Sequence, residues 1–155
     1  MIYTYPDYYK KFSCIADKCP DTCCGKWQIV IDDDSLERYQ EYDGDYRPEL
    51  YRKVNWNEGV FRHGRNGKCA FLRDDLLCDM YIHMGKDSLC TTCREYPRHT
   101  EEFENVREIS LSLSCPEVAR MLMNITGKVT FVTEEDDEDF ENHILRSGPA
   151  REFTC

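Results

Sequence analysis

Nine of the ten cysteines in this 155-residue chain fall into two groups, and thiols are its most chemically able side chains. The first group is Cys14-x4-Cys19-x3-Cys23-Cys24. The second is Cys69-x8-Cys78, then Cys90-x2-Cys93, then Cys115. Short spacings let neighbouring thiolates converge on one ion or cluster at little loop-closure cost. An all-sulfur donor set selects zinc or an iron–sulfur cluster over magnesium or calcium. The spacings match neither the two C-x2-C pairs of a zinc ribbon nor the C-x2-C-x2-C run of bacterial ferredoxins, so spacing leaves the metal open. The candidate ligands are Cys14, Cys19, Cys23, Cys24, Cys69, Cys78, Cys93 and Cys115. For each alone the plainer reading is a small buried hydrophobe. Cys90 stands evenly between the two readings, and the terminal Cys155 is expected to lie outside the set. A cysteine protease is not indicated. No cysteine sits in a nucleophile signature, and His63, His83, His99 and His143 have no evident orienting partner.

Composition sets the surroundings of these thiols. The hydrophobic share of 41% includes the cysteines and ten tyrosines, so the aliphatic core is thin and crosslinks are expected to carry part of the stability. The opening MIYTYPDYYKKF has no basic stretch followed by an apolar one, so a secretory leader is not expected. No window is apolar enough for a transmembrane helix. A cytoplasmic, reducing setting follows, in which dense cysteines are ligands more often than disulfides. The net charge of −10 argues against nucleic acid, because a phosphate-binding surface needs clustered Lys and Arg. Residues 1–133 carry 18 basic and 22 acidic side chains, and residues 134–155 carry 2 and 8. The expected organisation is a cysteine-rich metal- or cluster-binding domain over 1–133 and an acidic, flexible tail over 134–155.

The elements that must position the thiols read as short. Residues 1–26 look like loops and turns wrapped around a site. Trp27–Ile31 is a short strand or an extended segment. Asp34, with Glu37 three residues on, reads as the cap of a helix to about Tyr42 that Gly44 ends. Pro48 opens a second helix through Val54. Residues 55–68 read as a surface loop, Leu76–Met84 as a helix stopped by Gly85, and Ser88 as the cap of a short helix stopped by Pro97. In Arg107–Leu113 the residues Ile109, Leu111 and Leu113 alternate with polar ones, as in a half-buried strand. Ser114 and Glu117 form a capping box with Pro116 in the first turn, opening a helix to about Ile125 and placing Cys115 where helix amides favour a thiolate. Lys128–Thr133 reads as one more strand. The expected fold class is α+β: a small, irregular, cysteine-rich, metal-stabilised domain with short helices and a few short strands.

Several of these stretches resemble the flagellin lysine-N-methylase family. The first runs Tyr8-Tyr9-x2-Phe12-x-Cys14 and Cys19-x-Asp21-Thr22-Cys23-Cys24-x2-Trp27-x-Ile29. Lys68-Cys69-x-Phe71-Leu72 and Leu77-Cys78 follow, then Leu89-Cys90-x-Thr92-Cys93-Arg94-x-Tyr96-Pro97-Arg98 and Ser112-Leu113-Ser114-Cys115-Pro116-Glu117-x-Ala119-Arg120. The match covers roughly residues 3–133. The same framework is similar to a broader group of zinc- or iron-chelating domains. The resemblance implies methyl transfer from S-adenosylmethionine to surface lysines of flagellin, and a [4Fe–4S] cluster bound by cysteines from among the eight candidates, the match not choosing which of them ligate. Members of the family run well beyond this length, so the chain is expected to be a truncated form.

Lysine methylation needs a sulfonium donor and a neutral amine held in line. No Gly-x-Gly-x-x-Gly is present to cradle an adenosyl group, so a site iron of the cluster is a candidate anchor for the donor. Arg94, Tyr96 and Arg98, directly after Cys93, are the catalytic candidates, the arginines as donors to a substrate carboxylate or cluster sulfides. The plainer reading makes those arginines salt pairs, and the Tyr3–Tyr9 aromatics packing. Two alternatives stay open: a non-catalytic zinc- or iron–sulfur-binding module, and a disulfide-stabilised extracellular domain.

Overall fold

The computed structural model describes residues 1–25, 27–64 and 66–136. The fold is an irregular α+β arrangement of short helices and strands in two units, Met1–Ile15 with residues 97–136, and Ala16–Tyr96.

The first unit is a four-stranded sheet in the order β4-β5-β1-β6, built from β1 (Ile2–Pro6), β4 (Arg98–Phe103), β5 (Val106–Leu111) and β6 (Phe131–Glu135). Residues 2–6 are therefore an inner strand and not a loop. Their aromatic and β-branched side chains suit a strand. Pairing to β5 (parallel, Ile2 opposite Val106) and to β6 (antiparallel, Tyr3 opposite Glu134) satisfies the backbone on both sides. The Tyr5 hydroxyl donates to Glu134 Oε1 at 2.5 Å, and Lys10 Nζ reaches the same oxygen at 2.7 Å. Glu134 and Glu135, placed in the tail by charge, thus belong to β6, while residues 137–155 lie outside the described residues.

Two expectations change in this unit. On β5 the buried register is Arg107, Ile109 and Leu111. The strand stops at Leu111, which leaves Leu113 64% exposed. Arg107 is held inside by its Nη1, which donates to the carbonyls of Glu104 and Val106, and by the Glu102 carboxylate 3.0 Å from Nε, although Nε itself makes no hydrogen bond. The following helix, α5 (Pro116–Met123), is capped by Cys115 and not by Ser114, with no side-chain cap bond. Glu117 is drawn off the cap by a two-pronged pairing with Arg120 at 2.7 and 2.5 Å.

The second unit holds α1 (Asp33–Glu41), α2 (Arg47–Lys53), the hairpin β2 (Val54–Asn55) and β3 (Val60–Phe61), α3 (Asp79–Met84) and α4 (Thr91–Glu95). The polar stretch after Asn55 is thus a hairpin. Its turn uses Gly59 at φ +62, where a Cβ would also press on Leu36. Ile29 and Ile31 are buried on an extended segment that bonds across to Phe61 and Gly59. Tyr39, Leu50, Val54, Phe61, Phe71 and Met80 complete the core with Cys69 and Cys90. Burying a side chain such as Leu50 or Phe71 stabilises by roughly 1.5–3 kcal/mol. Helix α3 begins only at Asp79, because Leu72–Cys78 closes a tight loop first, and the helix after Ser88 starts at Thr91.

Asp32, not Asp34, caps α1. Its side chain accepts from the Ser35 amide at 3.0 Å and, through the other oxygen, from the Thr91 amide at 2.8 Å. One carboxylate thus closes the first turns of two helices. Burial raises its pKa, but the Thr91 and Ser35 hydrogen bonds outweigh this and bring it down to about 2. A carboxyl held below its ordinary pKa adds stability that is complete above about pH 4 and is lost as pH falls toward 2. Asp32→Ala is expected to cost about 1–2 kcal/mol in denaturant unfolding and to flatten the acid limb of a stability–pH curve. An unchanged midpoint and acid limb would contradict the double cap.

Candidate metal centre

The thiols of the second unit come from four separate stretches, and the backbone sets where each one lies. The Cys69 amide donates to the Cys24 carbonyl at 2.8 Å beside a bridge between Gly25 and Lys68. This joins residues far apart in sequence. Leu72 bridges to Cys78 around the 73–77 loop, and the Asp79 amide donates to the Phe71 carbonyl at 2.7 Å. Cys78 is thereby folded back toward Cys69. Helix α4, carrying Cys90 and Cys93, is tied to the Ile29–Ile31 segment by Asp32 and by the Thr92 hydroxyl, which donates to the Val30 carbonyl at 3.0 Å. The Cys23–Cys24 corner is fixed by the Cys24 amide donating to Thr22 Oγ1 and the Trp27 indole donating to the Cys23 carbonyl.

The result is a group of six thiols that feel one another electrostatically. The Cys23 and Cys24 sulfurs are 4.0 Å apart. The hydrogen bond they share pushes the Cys23 thiol far up and pulls Cys24 down, against burial and against nearby Cys69 and Cys78. The Cys90–Cys93 pair repeats the pattern: the bond they share lowers Cys90 and holds Cys93 protonated, and negative charge at Cys24 and Cys69 adds to the rise. Burial pushes Cys69 up to about 11, opposed in part by the Lys53 ammonium, and burial also raises Cys78. In each pair one sulfur would be the better ligand, and the other would have to give up its proton to bind a metal.

Six thiols with this mutual coupling fit a thiophilic centre in donor type. Among the described residues, no group of three or more His, Cys, Asp or Glu side chains is spaced to hold an ion.

Of the sequence candidates, Cys23, Cys24, Cys69, Cys78 and Cys93 come together. Cys90, left undecided by sequence, joins them, fully buried. Its C-x2-C spacing with Cys93 was the available signal. Cys19 lies in the same unit, at the end of a 3-10 turn spanning Ala16–Lys18. Cys14 and Cys115 belong to the sheet unit. Cys155 lies outside the described residues. Arg94 contacts the Thr91 hydroxyl at 3.4 Å, and the Tyr96 ring lies 6.0 Å from that of Trp27. Arg98, in the sheet unit, stacks its guanidinium over Tyr9 and Phe12. None of the nine described cysteines is in a disulfide. Thiol titration of unfolded, metal-stripped protein is therefore expected to count at least these nine. A count lower by two or more would mean a disulfide.

No family model matches the chain, and no solved structure matches it. Three curated proteins do. The flagellar biosynthetic protein FliU of Salmonella muenchen is 32% identical over 129 residues, which is 78% of this chain and 76% of FliU. The lysine-N-methylases of Salmonella typhimurium and Salmonella choleraesuis are likewise 32% identical over 129 residues, but the chain spans only 32% of their length. No helix among the described residues is long and apolar enough to cross a membrane. With FliU matched over three quarters of its length, this chain belongs to the FliU and lysine-N-methylase family.

Proposed function

We propose that the chain holds an iron–sulfur cluster, of the [4Fe–4S] type, on the thiols of its second unit and serves S-adenosylmethionine-dependent N-methylation of flagellin lysines in the cytoplasm. The observation that carries this reading is the convergence of Cys24, Cys69, Cys78, Cys90 and Cys93 in and around one core, with the exposed Cys23 sulfur 4.0 Å from that of Cys24, in a chain related to lysine-N-methylases. Six thiols exceed the four thiolates that such a cluster takes. A cluster bound there would supply a site iron to anchor the methionyl amine and carboxylate of the donor.

The chain's own residues have narrower tasks. The Asp32 bonds and the Cys69–Cys24 bond fix the ligand stretches before any metal arrives. Arg94 and Tyr96, which follow Cys93 on α4 and its C-cap, and Arg98 are the catalytic candidates. The acidic balance favours the approach of a lysine-bearing partner.

A second reading, a zinc- or cluster-binding module without catalysis, is favoured by the chain's spanning 32% of the length of the lysine-N-methylases. Two measurements separate the readings. Protein purified without oxygen is expected to be brown, with absorbance near ~400 nm from sulfur-to-iron charge transfer. It is expected to transfer labelled methyl from S-adenosylmethionine to flagellin, and Cys23→Ser to abolish both signals. Colourless protein carrying zinc, or coloured protein without transfer, would favour the module. Full transfer by colourless protein would contradict the cluster.

A further inference from the structure

Next to the thiols lies a partly buried polar cluster that ligation does not use. The Asp79 carboxylate is its centre. Lys53 Nζ lies 2.5 Å from Oδ2, and the Tyr46 hydroxyl donates to the same oxygen. Lys53 also donates to the Tyr46 hydroxyl at 3.1 Å. His83 Nδ1 lies 2.9 Å from the Asp79 backbone carbonyl and 3.3 Å from Oδ1, with its ring stacked on Tyr46 at 4.6 Å and 7°. Arg73 approaches Oδ1 at 3.9 Å, and Glu49 reaches Lys53 at 3.7 Å from the solvent side. Lys53 is only 8% exposed.

Such a cluster is a poor means of gaining stability. Desolvating two charges roughly cancels their attraction, and apolar residues of similar volume often do as well. Its location suggests another use. Asp79 directly follows Cys78 and is the first residue of α3. The loop just before Cys78 holds Leu76 at φ +64, a conformation that costs a branched side chain energy and persists only where its surroundings enforce it. The Asp79 amide fixes one side of this junction through Phe71, and the carboxylate fixes the other through α2.

We propose that Asp79, clamped by Lys53, Tyr46 and His83, is a positioning residue that holds the Cys78 thiol within the donor set. The inference rests on the metal-centre reading above. It assigns the clamp to orientation of one ligand: without it the strained loop relaxes, and Cys78 leaves the centre while the other thiols stay.

Cobalt(II) titration of reduced, metal-stripped protein tests this, because sulfur-to-cobalt charge-transfer absorbance reports how many thiolates bind. The expected result for Asp79→Asn is a loss of about a quarter of that absorbance, one thiolate of a four-coordinate site, and about 10–100-fold weaker binding against a competing chelator. Cys78→Ser should show the same losses, and Asp79→Asn added to Cys78→Ser should lose nothing more. A merely structural clamp would give additive losses. Tyr46→Phe, which removes one donor and keeps the ring stack, should show a smaller loss in the same direction if Asp79→Asn does not fold. Wild-type absorbance and affinity in folded Asp79→Asn and Tyr46→Phe, or additive losses in the double variant, would overturn the positioning role alone. Wild-type protein that gives no charge-transfer band would overturn the metal-centre reading and the inference with it.

Discussion

The carboxylate of Asp32 sets the geometry of the thiol-bearing unit. Short helices leave a large share of their amides without internal partners, and α1 and α4 have nine and five residues. A side chain that accepts from the first turns of both fixes their separation as well as their ends. Cys90 is the N-cap residue of α4, and Asp32 reaches in to accept from the Thr91 amide of its first turn. Through α4 the same carboxylate sets where Cys93 lies relative to the extended Ile29–Ile31 segment.

The thiols are part of the core that this scaffold encloses. Ile29, Ile31, Leu50 and Val54 are its aliphatic members, and aromatic rings with Cys69 and Cys90 fill the rest. A buried thiol behaves as a small hydrophobe while protonated, whereas a thiolate in such a setting needs a counter-charge or a hydrogen bond. Pairing Cys23 with Cys24 and Cys90 with Cys93 meets that need without a metal. The metal-free unit can therefore keep a packed core and still present donors. A metal bound there would have to clear several raised thiols of their protons, so its affinity would rise with pH.

Much of the architecture is legible in the residues. Gly85 stops α3 and Pro48 sits in the first turn of α2, where local chemistry decides. The failures arise where a distant partner overrides the local signal. Asp34 has a better capping pattern than Asp32, but only Asp32 also reaches Thr91. Ser114 and Glu117 fit a capping box, yet Arg120 takes the glutamate. Residues 2–6 are half-buried or buried at every position, so no buried–exposed alternation marks the strand. Among the ligands, cysteine type and spacing single out five of the six clustered thiols. Cys90 was ambiguous because full burial suits both a core thiol and a ligand. No spacing rule could join Cys24 to Cys69, which meet through one backbone hydrogen bond.

The central claim is that thiols from four stretches of one unit surround a single centre. X-ray absorption at the metal edge of the metal-loaded protein tests it most directly. The account predicts a first shell of sulfur alone, at the ~2.3 Å of metal–thiolate bonds. A shell containing nitrogen or oxygen from the protein at ~2.0–2.2 Å would contradict it.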